Sequence, residues 1–454
     1  MLNQDPSISL DAFDLYGSAG LYTLVWPHLQ LQADLSRFKV NSDYELKAEV
    51  TFSSTRPNSP GHLRRRRVNL SNPDPRFIKS LREKDTSIDW ADIIEQMAVA
   101  VCDLYRVGSP EVEMLGQIPA TPEGHWLIKP LVHVGHPTLI YGTGATGKSW
   151  FSQYLSVLVH YGMDSSGLEI GNPTPVLYLD WETDEHEIGS RLAMIKKGLS
   201  LPQHSETGVF YKSMTQGLVA DIAEVSAIIH RRHIGFVVLD SLGAACAGEP
   251  ESAEVVLSLF GAIRSLRDSN GQTLATLCID HTNKSDELFG SVFKERRSRI
   301  IFKVKKSQRI QEEEFEFALF HEKANNEKMI QPMGWNLEFD NNSGAAIFTR
   351  RDVKQSRLEV EMSIRDRIRN YLEESRHPAS VADIAELLGK PSSHIAKELS
   401  QNKDMFTMVT KGCWTVIKSQ EQEWAAQSVE IPAPSVPVAK DGDEELVQYE
   451  AFEL

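Results

Sequence analysis

The sequence contains no apolar run that approaches the roughly 20 residues a membrane-crossing helix needs, so no membrane partner is expected. Its four cysteines (Cys102, Cys246, Cys278 and Cys413) lie far apart. That excludes a disulfide framework and paired metal-ligand spacing, and it favours a reducing, cytoplasmic compartment. The opening stretch MLNQDPSISLDAF has acids and no basic-then-apolar order, so no secretory signal is expected. Internal repeats are absent. Basic residues are outnumbered: 48 Lys and Arg against 63 Asp and Glu give a net charge of −15. This balance excludes a chain that coats nucleic acid with its whole surface. A local basic channel stays open, because the charge is uneven. Nine acids and one lysine fall in 419–454, whereas basic residues bunch at Arg64, Arg65, Arg66 and Arg67 and again between Lys294 and Arg309.

With 454 residues, 41% hydrophobic and 24% charged, the chain has the make-up of a soluble globular protein of about three domains. An N-terminal α+β domain is expected over 1–128. Strand-like alternation runs through 38–53, a loop with Pro57, Pro60 and Gly61 follows, and the RRRR run leads into another short strand. Helices are expected at 76–83 and 90–105, the second with Ile93, Ile94, Met97 and Val101 at helical spacing. Pro119, Pro122 and Gly124 mark a linker. From 129 to 350 short apolar strands alternate with helices: PTLIYG (137–142), PVLYLDW (175–181), VFYKSM (209–214), IGFVVLD (234–240) and TLATLCID (273–280). Continuous runs such as FVVLD suit strands buried on both faces of a parallel sheet. After 298 the stretches RIIFKVKK, FEFALFHE and AAIFTRR predict an antiparallel extension of that sheet. Residues 360–417 predict helices at 362–374, 381–388 and 392–400, then the strands MFTMVT and CWTVI around Lys411 and Gly412. That is the element order of a winged helix-turn-helix. The tail, 419–454, is acidic and rich in Pro and Ala. It reads as disordered, and as a segment that can bind a protein partner.

Residues Gly142, Thr143, Gly144, Ala145, Thr146, Gly147, Lys148 and Ser149 match G-x-x-x-x-G-K-[ST] without a mismatch. The motif leaves a strand and enters the apolar-periodic stretch WFSQYLSVLVHYG, the context that phosphate binding requires. Glycines let the backbone curl so that its N–H groups point at phosphates, beside the positive end of the following helix. Lys148 reaches the outer phosphates, and the Ser149 hydroxyl ligates Mg2+. The ligands expected are therefore ATP and Mg2+. Asp240 closes the apolar strand IGFVVLD, where its carboxylate can complete the metal shell. Glu182, at the end of PVLYLDWE, can act as the base that orients water. Asp180, two residues earlier, competes for that role, and either acid can instead cap the helix expected over 184–199.

These pieces, in this order, resemble the RecA-like ATPases of the RepA/DnaB/KaiC group, and within it the RepA-type hexameric replication helicases. The resemblance covers roughly 135–310. It rests on GTGATGKS, YLDWETDEHEIGSRL, FVVLDSLGAACAGEPES and LCIDHTNKSDELFGSVFKERRSR. It implies a RecA-like P-loop NTPase core, α/β with a mainly parallel sheet, over 129–350. It also implies Glu182 rather than Asp180 as the catalytic acid, His281 as the sensor of the γ-phosphate, and an arginine after Gly290-Ser291 that acts across a subunit boundary. Arg296, Arg297 and Arg299 follow that step, with the spacing favouring Arg299, and Lys284 can share the charge-stabilising role. A homo-oligomer is implied, with a hexameric ring favoured.

DNA is the expected partner, although the loops that would face a central channel are poor in charge: GAACAGEPES has no basic residue, and NKSDELFG has Lys284 against two acids. Phosphate contacts normally supply most nucleic-acid affinity. Two other places can supply them, residues 64–67 and the expected recognition helix Ser392-Ser-His-Ile-Ala-Lys397. Two functions follow: a RepA-like helicase or loader of a plasmid, phage or mobile element, or a KaiC-like regulatory or scaffolding ATPase whose winged helix and tail bind proteins.

Overall fold

The computed structural model describes residues 13–18, 21–40, 45–54, 56, 61–107, 126–202, 208–308, 314–325, 328–375 and 377–417. Pro57, Pro60, the expected linker at Pro119 to Gly124, Arg309 and the tail 419–454 lie outside them. The chain forms two compact units, Met1–Met362 and Ser363–Leu454.

The first unit begins with β1 (Asp14–Ser18), β2 (Leu21–Trp26), β3 (Leu31–Val40), β4 (Leu46–Ser54) and β5 (His62–Asn69), followed by α1 (Pro75–Arg82) and α2 (Trp90–Val107). The strands pair antiparallel in chain order. Alternation decides the buried face: Leu46, Ala48, Val50 and Phe52 of β4 join Phe77, Leu81, Trp90, Ile94 and Met97 from the helices in one core. The strand-like alternation over 38–53 falls on the end of β3 and most of β4. Residues 64–67 lie within β5, an edge strand, rather than before a strand. Successive side chains on a strand point to opposite faces, so the four arginines do not form one patch. Arg65 pairs with Glu49 of β4. Charges of this kind on an edge strand discourage pairing with foreign strands.

Next come β6 (Trp126–Lys129), β7 (Val132–His133), β8 (Pro137–Gly142), α3 (Lys148–Tyr161), β9 (Glu169–Ile170), β10 (Val176–Asp180), α4 (Glu185–Gly198), β11 (Val209–Ser213), α5 (Leu218–Arg232), β12 (Phe236–Asp240), α6 (Leu242–Ala245), α7 (Ala253–Ser265), β13 (Ala275–His281) and α8 (Val292–Arg297). The unit ends with β14 (Ile300–Ser307), β15 (Glu314–Ala324), β16 (Met333–Asp340) and β17 (Ala345–Arg351). A nine-stranded sheet runs β11-β10-β12-β13-β8-β14-β15-β16-β17. Its strands are parallel from β11 to β14 and antiparallel from β14 to β17. The continuous apolar runs follow from burial on both faces. Val176 and Tyr178 face the core that contains Phe151, Leu155, Ile188 and Leu192 of α3 and α4. Leu177 and Leu179 face the one that contains Val225, Ile229, Leu259 and Ile263 of α5 and α7. The parallel strands end level at one edge: Asp180 opposite Asp240, Asp240 opposite Ile279, and His281 opposite Gly142. Ligands of open α/β sheets bind at such carboxyl ends.

The second unit contains α9 (Ile364–Ser375), β18 (Ala379–Ser380), α10 (Val381–Leu388), α11 (Ser392–Gln401), β19 (Phe406–Thr410) and β20 (Cys413–Val416). Ser380 and Asp383 form a reciprocal capping box at the start of α10, and Gly389 ends that helix in the left-handed conformation. Ile368, Leu372, Ile384, Leu388, Ile395, Leu399 and Phe406 make its core. Among the described residues no helix is long and apolar enough to cross a membrane.

Candidate active site

β8 runs into the loop 143–147 and the loop into α3, so the glycine-rich motif closes on itself beside a helix N-terminus. Gly147 has φ +88°, and a Cβ there would lie 2.9 Å from Phe315 Cε2. Only glycine meets both conditions. A Cβ on Gly142 would lie 2.6 Å from the Val304 carbonyl oxygen. Lys148 Nζ donates to the carbonyl oxygens of Gly142 (2.9 Å) and Thr143 (2.7 Å). Burial pushes its pKa down, while the charges of Asp240, Glu182 and Asp280 pull it up. A desolvated ammonium aimed into a loop of backbone dipoles is a phosphate-binding arrangement.

Asp240 is buried, and its Oδ2 accepts from the Tyr178 hydroxyl at 2.7 Å, which in turn meets Ser152 Oγ at 2.9 Å. Burial raises its pKa; Ser149 and Tyr178 oppose that. Its Oδ1 is buried without a well-formed hydrogen bond. A buried carboxylate oxygen with no well-formed hydrogen bond, beside the Ser149 hydroxyl, fits a divalent cation, and the fit is with Mg2+. That ion needs only one or two protein groups, because phosphate oxygens and water complete its shell.

The two acids after β10 differ sharply in surroundings. Asp180 accepts from the backbone N–H of Glu182 (3.0 Å) and Thr183 (3.2 Å), from Thr183 Oγ1 (2.5 Å) and from the Tyr211 hydroxyl (3.2 Å). Its oxygens are engaged in building the turn. Neither acid caps α4, whose cap is Asp184. Glu182 instead meets His281 Nε2 through Oε1 at 3.0 Å, both side chains being partly exposed. The His281 contact holds the Glu182 carboxyl down to about 2, helped by Ser241 and Lys148 and opposed by burial. Conversely, Glu182 raises the His281 pKa. Removal of the buried Asp180 carboxylate strands four donors around a partly buried turn. Asp180→Ala is therefore expected to destabilise the fold by about 3 kcal/mol, measured by urea unfolding. An unchanged midpoint would refute that structural role.

Lys148, Ser149, Glu182, Asp240 and His281 line one cleft of about 450 Å³, together with Trp150, Thr183, Arg191, Lys306, Gln308, Phe315 and Phe339. The last group was not foreseen. Lys306 donates to the Ala145 carbonyl at 3.0 Å and lies 4.4 Å from the centre of the Phe315 ring. It reaches the loop because β14 is the neighbour of β8, which no local pattern reveals. Arg299 is not in this cleft. It precedes β14 at the level of Pro137, the far end of β8, roughly 15 Å along the strand from Gly142. Arg296, Arg297, Arg299 and Lys284 are exposed. The basic bunch from Lys294 onward is not one patch. Lys294 is buried against Asp280, and Lys303 and Lys305 pair with Asp286.

A family model of the AAA domain matches residues 106–287. The loop of 142–149 lies inside the matched stretch, and its strand–loop–helix geometry is that of a P-loop nucleotide-binding site. The AAA-domain match covers less than half of the chain and stops before α8, so Arg299, Lys306, Phe315 and Phe339 lie beyond it. No curated protein matches the chain. The crystal structure of the flagellar accessory protein FlaH from Methanocaldococcus jannaschii is similar at 14% identity and a TM-score of 0.33, over 48% of this chain and 90% of that one. A likeness that loose adds nothing to the AAA-domain assignment.

Proposed function

We propose that the chain is an ATP-hydrolysing motor that acts on DNA as a self-associated ring, of the kind a RepA-like helicase or loader of a plasmid, phage or mobile element would need. The observation that carries the hydrolytic part of this reading is the Glu182–His281 contact at the rim of the phosphate cleft. ATP lies with its phosphates on the 142–149 loop and Lys148. Ser149 and Asp240 would hold Mg2+, which when bound would neutralise charge on the outer phosphates. Glu182 orients and deprotonates the attacking water. A carboxylate held near 2 is a weak base, so hydrolysis requires its contact with His281 to loosen. A γ-phosphate that attracts the imidazolium does this, and links base strength to the arrival of the nucleotide.

Arg299 supports self-association, since its place at the far end of β8 keeps it from its own cleft and frees it for a neighbour's. If it acts in trans, mixing Lys148→Ala with Arg299→Ala subunits restores activity, because some interfaces then hold both native groups. Absence of rescue after proven mixing sinks the ring. DNA contact is supported by α11, read as the recognition helix of a winged helix: Ser392, Ser393, His394 and Lys397 are exposed, while Ile395 and Leu399 anchor it. A regulatory ATPase is the second reading. It is favoured by the loops over 246–252 and 282–290, whose described residues include Lys284 as the sole basic side chain. Single-stranded DNA is expected to stimulate turnover severalfold, with stimulation that falls as salt rises. A rate indifferent to DNA would transfer the case to the regulatory reading.

A further inference from the structure

A second charged pair lies behind the hydrolytic one. Lys294 of α8 and Asp280 of β13 are buried, with side chains 0% and 1% exposed, and Lys294 Nζ lies 2.7 Å from Asp280 Oδ2. The same ammonium donates to the Phe289 carbonyl at 3.0 Å. The other oxygen of Asp280 accepts the His281 N–H at 2.9 Å. One series of contacts therefore runs from Phe289 through Lys294 and Asp280 to His281, and from its ring to Glu182.

Two loops meet on this pair, 246–252 and 282–290. The Ser291 N–H donates to the Pro250 carbonyl at 2.9 Å, which ties the first loop to the end of the second. A Cβ on Gly290 would lie 2.7 Å from that carbonyl and 3.2 Å from Lys294 Nζ, and one on Gly243 would lie 3.3 Å from Asp280 Oδ1. Packing this close leaves little slack, so displacement of either loop is passed to the ammonium. Buried ion pairs are weak stabilisers, and apolar pairs of similar volume often serve the fold as well. What the ammonium adds is direction, because two acceptors from separate elements fix where Asp280 sits.

We infer that Lys294 is a positioning residue: it clamps Asp280 to the 282–290 loop at Phe289, and thereby sets the contact of His281 with Glu182. The consequence for turnover rests on the proposed role of Glu182 and His281, whereas the positioning of His281 does not.

The test compares wild type with Lys294→Met and with Lys294→Met/Asp280→Asn, the second of which leaves no unpaired buried charge. Two quantities are read: kcat and KM for Mg-ATP, and the ring ¹³C and ¹⁵N shifts of His281 in histidine-labelled protein at fixed pH, assigned through His281→Gln. The expected result is a fall in kcat of about tenfold or more, as misplacement of a reacting group gives, with KM changed by less than about twofold and with displaced His281 shifts. Unchanged His281 shifts in a folded variant would overturn the inference. Failure of both variants to fold would assign the pair to stability alone and overturn it too. Displaced shifts with an unaltered kcat would uphold the positioning of His281 and count instead against the hydrolytic role of the Glu182–His281 contact.

Discussion

Lys148→Ala is expected to keep its fold and to lose nearly all nucleotide binding and turnover. The side chain is 6% exposed, yet its ammonium bonds to the Gly142 and Thr143 carbonyls and Thr146 Oγ1, groups of the loop itself. Its removal leaves carbonyls on a loop whose residues 143–145 are exposed, so water can replace it. Alanine is also the best helix former, so the first turn of α3 survives. What is lost is a preorganised cation in a site already lined by the carboxylates of Asp240 and Glu182. Without it the phosphates meet the two carboxylates with one fewer cation, and the one that is lost is the one seated inside the loop. Loss of one such group typically costs about 10²–10³ in rate, and here binding should suffer as well. Circular dichroism, titration with a fluorescent ATP analogue and ATPase rate on one preparation check the expectation. A folded variant that turns over at the wild-type rate would remove the site from this loop.

The parts of the molecule that were legible in the sequence are those whose chemistry is local. The glycines of 142–147 announce a tight loop because Gly147 takes a left-handed conformation and Gly142 has no room for a Cβ, and β8 and α3 flank it as the motif requires. Strands such as β12 show as apolar runs because both of their faces are covered. β16 did not show, since Gly334 and Asn336 interrupt a strand whose first five residues are all buried, which leaves neither alternation nor a clean run. β1 and β2 were missed as well, although they are no shorter than β12 and β8. The arginines of 64–67 read as a dense patch until β5 divided them between two faces. Pairings over long separations were beyond reach: Lys306 with Ala145, and His281 with Glu182, meet only because β14 and β13 flank β8 and its neighbours. Lys294 counted as a surface charge because lysine is rarely buried, and its partner Asp280 lies in a strand that otherwise reads as apolar.

Glu182→Gln is expected to bind Mg-ATP as tightly as wild type and to hydrolyse it about 10²–10⁴ times more slowly, the usual loss when a general base is removed. The amide keeps the size of the acid, and the cradle of Gly142, Lys148 and Ser149 makes no hydrogen bond to Glu182, so the phosphate site stays intact. The contact with His281 Nε2 changes character, because a neutral amide no longer holds the imidazole by charge. His281 should therefore lose its raised pKa, the sign being that of a cation deprived of its carboxylate. Asp180→Asn supplies the contrast. Asp180 accepts at both oxygens from groups of the turn and from Tyr211, and an amide nitrogen in place of one oxygen sets donor against donor. That variant should lose stability first, and activity only as far as the turn that carries Glu182 is disturbed. Single-turnover hydrolysis with bound radiolabelled ATP, read beside urea unfolding, separates the two. If Asp180→Asn were as stable as wild type and hydrolytically dead while Glu182→Gln turned over normally, the base would be Asp180 and the roles of the two acids would be reversed.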